Sequence, residues 1–345
     1  MLHGTFYKVI IQGRFEFGSE RSFQKVYQLY LQRYETLYKK EILFKFPEAI
    51  FKPEENSLHI GRFIGNSNEK LWKNTISLIE YCAQFSLSGS INAWMTDNGK
   101  ILQHYHIEPL GEKTSIMLYQ EGKKMAELEG KEKEAMQLLT ESIEKYDRHS
   151  QAYEKRAYIN FHLKNYDDAI YDFRKSINFD FMNASSHYGL ARTLMIKNDL
   201  EGAILSLEEA TKQSIALQPL YWASRRVKGN CHLELNQFEK AAFEYKLFTT
   251  RSFAIDDPNH KYLSKTWFNY GKTLFALGQL DAALDAFDKS ISYLEKAQES
   301  SQAELFMHRG MARKAAGKAD YILDLKKAAE LGLDSASILL AEQAK

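Results

Sequence analysis

A chain of 345 residues with a net charge of +1, 44% hydrophobic and 26% charged, is long enough for two cores and has no bulk charge to draw it onto nucleic acid or an acidic membrane. Five prolines argue against long irregular segments, and no apolar stretch has the make-up of a signal peptide or a membrane span, so a cytoplasmic protein is expected. Cys82 and Cys231 lie far apart without CxxC spacing and are expected as buried free thiols.

The first element is a period-two run, Thr5 to Phe17, which predicts a strand. A helix follows, with Phe23, Val26, Tyr27, Tyr30, Tyr34, Leu37 and Tyr38 on one face and Ser19 or Ser22 as its cap. Two extended segments, Ile42 to Phe51 and Leu58 to Ile64, are joined by the turn-forming KPEENS. A second helix spans about Asn68 to Ala83, with Leu71 or Trp72, Thr75, Ile76, Ile79 and Cys82 facing inward. A hairpin, Phe85 to Met95 and Lys100 to Ile107, closes this part. The order of elements is that of a ferredoxin-like two-layer α+β sandwich with one added strand, occupying residues 1–112.

A three-residue loop, Asp97-Asn98-Gly99, would pair Thr96 with Lys100. One face of the hairpin then carries Gly89, Ile91, Ala93, Met95, Ile101, Tyr105 and Ile107, and the other Ser88, Ser90, Asn92, Trp94, Leu102, His104, His106 and Glu108. The second face reads as a polar binding surface with Trp94 as aromatic anchor and Asn92, His104 and His106 around it. His104, His106 and Glu108 are also reasonable ligand types for a first-row metal, with His59 a distant fourth. No second-segment ligand is indicated, so neither metal nor cofactor is expected. No nucleophile, phosphate-loop or dinucleotide motif appears, and no segment has the aromatic signature of an RNA-binding sheet.

Beyond residue 113 one pattern recurs. Trp267, Tyr270, Gly271, Leu274, Gly278, Leu280, Ala283, Phe287 and Ser290 place a small residue twelve after Gly271 and an aromatic four further on. It returns at Tyr153, Ala157, Ala169 and Phe173, at Ala191, Ala203 and Leu207, and at Gly229, Ala241 and Tyr245. The alanines Ala135, Ala169, Ala203, Ala241 and Ala283 are separated by 34, 34, 38 and 42 residues. A degenerate last copy around Gly310 is one residue short in its turn, with Tyr321 at the small position; the first has Lys123 where Gly or Ala is needed. This pattern resembles the tetratricopeptide repeat. The resemblance implies an all-α solenoid over residues 113–345, about six helix pairs and a C-terminal capping helix. Small residues let the two helices of a pair cross closely, while the larger apolar ones make the stripe buried against the next pair.

In that family the first helix of each pair lines a concave groove for a peptide or protein. Here this implies Tyr158, Tyr188 and Arg192, then Arg226, Asn230, Lys265, Phe268, Asn269, Lys272 and His308, a face that is aromatic and mildly basic. In family members that grip a chaperone's terminal carboxylate, a cationic pair completes the site; Arg226, Asn230 and Asn269 resemble its first elements, but Glu304 and His308 stand in place of that pair. The expected function is a non-enzymatic adaptor or scaffold for a protein or peptide partner, acidic with apolar anchors, with the N-terminal domain as second contact surface. The rivals are an immunity-like inhibitor of a toxin and a metal-dependent enzyme built on His104, His106 and Glu108.

Overall fold

The computed structural model describes residues 5–294 and 299–343. It divides into two compact units, one up to Thr193 and one from Leu194.

The first unit begins with an antiparallel five-stranded sheet. Strand β1 (Tyr7–Glu16) leads into helix α1 (Glu20–Thr36), which Ser19 caps by accepting from the Ser22 backbone N–H. A one-turn helix, α2 (Pro47–Ile50), precedes the two-residue strand β2 (Phe51–Lys52). Strand β3 (Ser57–Ser67), helix α3 (Glu69–Ala83, capped by Asn68), β4 (Ser88–Asp97) and β5 (Lys100–Ile107) complete the domain. The strand order is β2-β3-β1-β4-β5. Helices α1 and α3 share one apolar core with the sheet through Phe23, Val26, Tyr30, Trp72, Ile76 and Ile79. This is the expected two-layer α+β arrangement, with β5 added beyond β4. A Cβ on Gly13 or on Gly89 would lie 2.1 Å from a carbonyl oxygen of the other strand, and both have positive φ. Glycine is what lets β1 and β4 meet there.

Three local expectations need correcting. Residues 42–50 are not a strand: Thr75 Oγ1 accepts from the Leu43 backbone N–H and Tyr30 donates to the Phe44 carbonyl. Side chains thus satisfy that backbone, and Pro47 starts a helical turn at its first position. Leu37 does not share the α1 face, because the helix ends at Thr36, and it is exposed. The hairpin loop has two residues, Asn98 and Gly99, both left-handed, so Asp97 pairs with Lys100. A bulge at Leu102 then shifts the register until Trp94 faces His104 and Asn92 faces His106. The bulge restores the expected partition of faces from Gln103 onward despite the shorter turn, whereas Ile101, expected on the apolar face, pairs with Thr96 and is exposed.

Helices α4 (Thr114–Met125), α5 (Glu132–Lys145), α6 (Ser150–His162), α7 (Tyr166–Phe179) and most of α8 (Ala184–Ile196) complete the first unit. The sheet is joined to them by buried polar bonds. Gln151 Oε1 accepts from Ser88 Oγ and from the Gly89 backbone N–H, and Ser88 Oγ accepts from the Ser150 N–H at 3.0 Å. Glu16 pairs with Arg148 at 2.8 Å.

The second unit holds the end of α8, α9 (Leu200–Gln213), α10 (Pro219–Glu234), α11 (Phe238–Thr249), α12 (Leu263–Ala276), α13 (Leu280–Ser292), α14 (Glu299–Ala315), α15 (Tyr321–Glu330) and α16 (Asp334–Gln343). A Cβ on Gly229 would meet the Tyr245 ring at 2.8 Å, and one on Gly271 the Phe287 ring at 2.6 Å. In these two pairs the aromatic of the second helix therefore lies on the glycine of the first, as the sequence pattern requires. In the first pair that role falls to Gly122, against Leu139 at 3.0 Å, and not to Lys123. Gly122 stands 13 residues before Ala135, one more than the 12 between the crossing residues of the regular later copies, so the crossing moves back one position.

Candidate functional site

The N-terminal sheet face does not offer an exposed aromatic anchor. Trp94 is 1% exposed, because the His104 ring lies flat on it at 5.1 Å with 3° between planes. Asn92 Oδ1 is 2.9 Å from His106 Nδ1 and 3.4 Å from His104 Nε2. His106 Nε2 approaches Glu108, which also accepts from Tyr119 Oη and Lys123 Nζ on α4. Burial raises the Glu108 pKa, but hydrogen bonds from His106 and Lys123 outweigh it and hold the carboxyl at about 2. Burial, then the neighbouring His106, lowers the pKa of His104. An ammonium thus already neutralises the carboxylate that a metal would need. His59 lies on β3, three strands from β5. Among the described residues, no three His, Cys, Asp or Glu side chains are gathered as metal ligands.

On the first-helix faces of the first unit, Tyr158 sits edge-on to Phe173 and donates to the Ser185 carbonyl at 2.8 Å. It braces α8 against α6. Arg192 is freer: its guanidinium lies 4.6 Å from the Phe161 ring and 5.9 Å from that of Tyr188. Tyr188 is half-buried.

The second unit gathers more of the expected groove residues. Asn230 Oδ1 accepts from Tyr245 Oη at 2.8 Å and from Asn269 Nδ2 at 3.2 Å, which links α10 to α12. Arg226 lies over the Tyr262 ring at 3.9 Å, and Lys272 over Phe268 at 4.9 Å. The other neighbour of Phe268 is His308 of α14, edge-on at 5.3 Å. Lys265 is exposed. Burial lowers the pKa of Lys272, with Glu304 opposing, and burial also lowers that of His308, whose Nδ1 is 2.9 Å from the Glu304 carbonyl. Arg226 thus lies on α10 and Lys265 and Lys272 on α12, with Glu304 of α14 close enough to act on Lys272.

Sequence reading missed a second set of charges. Arg156 binds Asp172 with two hydrogen bonds of 2.7 and 2.8 Å, Lys228 pairs with Glu244 at 2.8 Å, and Arg309 binds Asp324 at 2.6 and 2.9 Å. The three acids are 2–3% exposed. In each case the cation directly precedes the crossing residue, Ala157, Gly229 or Gly310, and the acid directly precedes Phe173, Tyr245 or Leu325. That cation-to-acid spacing was the signal that would have found them. Cys82 and Cys231 are both buried free thiols, with pKa values pushed to about 12 chiefly by burial.

Residues 132–181 and 188–246 match one tetratricopeptide-repeat model, and residues 264–293 match another. No curated protein matches the chain. Among solved structures, YrrB, described as a tetratricopeptide-repeat protein with an unusual peptide-binding site, superposes with a TM-score of 0.50 at 18% identity. That likeness covers 59% of this chain and 97% of YrrB. PilF of Pseudomonas aeruginosa superposes with a TM-score of 0.50 at 16% identity, over 67% of this chain and 98% of PilF. At these identities the likeness is one of fold. No described helix is long and apolar enough to cross a membrane.

Proposed function

We propose that this tetratricopeptide-repeat protein is a non-catalytic cytoplasmic adaptor, which holds an acidic segment with apolar anchors on the first-helix face of α10, α12 and α14. Its repeats are of a kind that generally binds peptides or proteins without chemistry. The observation that carries the reading is the placement of Arg226 and Lys272 on the rings of Tyr262 and Phe268. A cation held on an aromatic face is kept extended and partly desolvated, ready to meet a carboxylate beside an apolar side chain. Within the first unit, Arg192 stacked on Phe161 is a cation of the same kind.

The test starts from a partner identified by affinity capture and titrated as a purified protein. Replacing Arg192, Arg226 and Lys272 together by Ala is expected to weaken binding most at low salt, because charges of this kind act chiefly on association. Phe268→Ala should weaken it by a similar factor at any salt. Unchanged affinity for the triple variant, with loss instead on changing His104 and His106, would move the working surface to the sheet.

A further inference from the structure

We propose that the outer edge of β3 is a strand-addition site for an extended acidic and apolar segment of a partner protein. Strand β3 pairs with β1 as far as Ser67, but β2 covers its other edge only at Ser57 and Leu58. From Ile60 to Ser67 that edge is a run of main-chain donors and acceptors without a neighbouring strand among the described residues. In an antiparallel ladder every second residue turns both its N–H and its C=O outward, so an added segment would find regularly spaced partners.

The preceding chain does not fill this place, because Thr75 and Tyr30 hold the backbone of Leu43 and Phe44 away from β3 and α2 turns aside. The separation leaves an open slot of about 320 Å³ between residues 43–50 and 59–63. Its apolar walls include Phe44, Phe46 and Phe63, and Phe46 is 69% exposed. The titratable side chains lining it are Lys45, His59 and Arg62, with no acid among them. The Arg62 Nε–H donates to Gln12 Oε1 of β1 at 2.8 Å.

These charges choose the occupant. Two copies joined edge to edge through β3 would bring Lys45 and Arg62 of one against the same cations of the other, and like charges across an interface are costly. A segment that alternates carboxylates with β-branched or aromatic residues places apolar side chains in the slot and acids on the cations.

The probe is a capped synthetic peptide of about eight residues alternating glutamate and valine, titrated onto the full chain. It should bind and slow amide exchange at residues 60–67. A version with alternate amides N-methylated, and another with lysine for glutamate, should each bind about tenfold more weakly. Phe46→Ala, at an exposed position, should cost the parent peptide a similar factor with circular dichroism unchanged. Absence of binding, protection confined to the helices, or equal binding of the N-methylated peptide would overturn the proposal. Protection of the same amides by concentration-dependent self-association would name a second copy as the occupant and overturn it equally.

Discussion

The two compact units satisfy their buried polar groups over different distances along the chain. In the first, residues of the sheet are bonded to residues far away in sequence: Ser88 and Gly89 to Gln151, and Glu16 to Arg148. In the second, the buried acids Glu244 and Asp324 are answered from the preceding helix of their own pair. The sheet is thereby fused to the first repeats, and its polar side is largely spent on that union. The later repeats answer these acids within each pair, although Asn230–Asn269 and Arg309–Asp288 also join neighbouring pairs, and Lys265 is exposed.

The sharpest way to break the comparison is to remove an acid of the second unit. Asp324→Ala leaves the half-buried Arg309 without its two-bond partner, with only the exposed Asp288 still beside it, and is expected to cost about 3–5 kcal/mol in urea unfolding. Replacing Arg309 and Asp324 together by apolar residues should recover most of that loss. A cost below about 1 kcal/mol would mean that the pair behaves as a surface ion pair.

The next effect belongs to the first unit alone. His149 is fully buried against Tyr119, and neither ring nitrogen has a hydrogen-bond partner. Burial lowers its pKa to about 4, below the ~6.5 of an unfolded histidine. The stability tied to keeping it neutral is complete above the unfolded value and is lost as pH falls through the interval to about 4, in total on the order of 3 kcal/mol. Asp180 acts with opposite sign: burial raises its carboxyl to about 6, so it gains stability as pH falls from there toward its unfolded value. The difference between the wild type and His149→Phe isolates the histidine. The variant should gain on the wild type as pH is lowered from 7 to 4, and parallel stability curves would remove His149 as the cause.

Smaller effects test the helix crossings. Gly271→Val and Gly122→Val should each cost about 1–3 kcal/mol in thermal unfolding by overpacking the facing Phe287 or Leu139. A neutral Gly122→Val would mean that the first pair crosses elsewhere. Smallest of all, Lys265→Ala should change stability by less than about 0.5 kcal/mol, as expected of a side chain left for a partner.

What was legible in the sequence follows the same division. The cap at Ser19, the start of α3 at Asn68, the alanines at the helix crossings and the apolar stripes are local signals, and each appears where its spacing indicates. The strand expected before Phe51 failed because side chains distant in sequence, Tyr30 and Thr75, took its backbone bonds. The hairpin register failed because a bulge at Leu102 compensated a two-residue turn, which alternation alone cannot distinguish from a three-residue one. Trp94 looked like an anchor by residue type, yet the paired strand lays His104 on it. Lys123 looked like a defect in a small-residue position; it is instead the counter-ion of Glu108, with Gly122 at the crossing.

The charge pairs inside single helix pairs also bear on how such a chain changes over evolutionary time. When the cation and its acid come from one copy, as with Lys228 and Glu244 or Arg309 and Asp324, duplicating or deleting that copy moves both together and strands neither. The repeat number in the second unit can therefore drift by whole modules at little cost in charge balance. The first two copies lack that freedom: deleting α6 and α7 would leave Ser88 and Gly89 without Gln151. Insertions and losses of repeats among relatives of this chain should accordingly concentrate after α8.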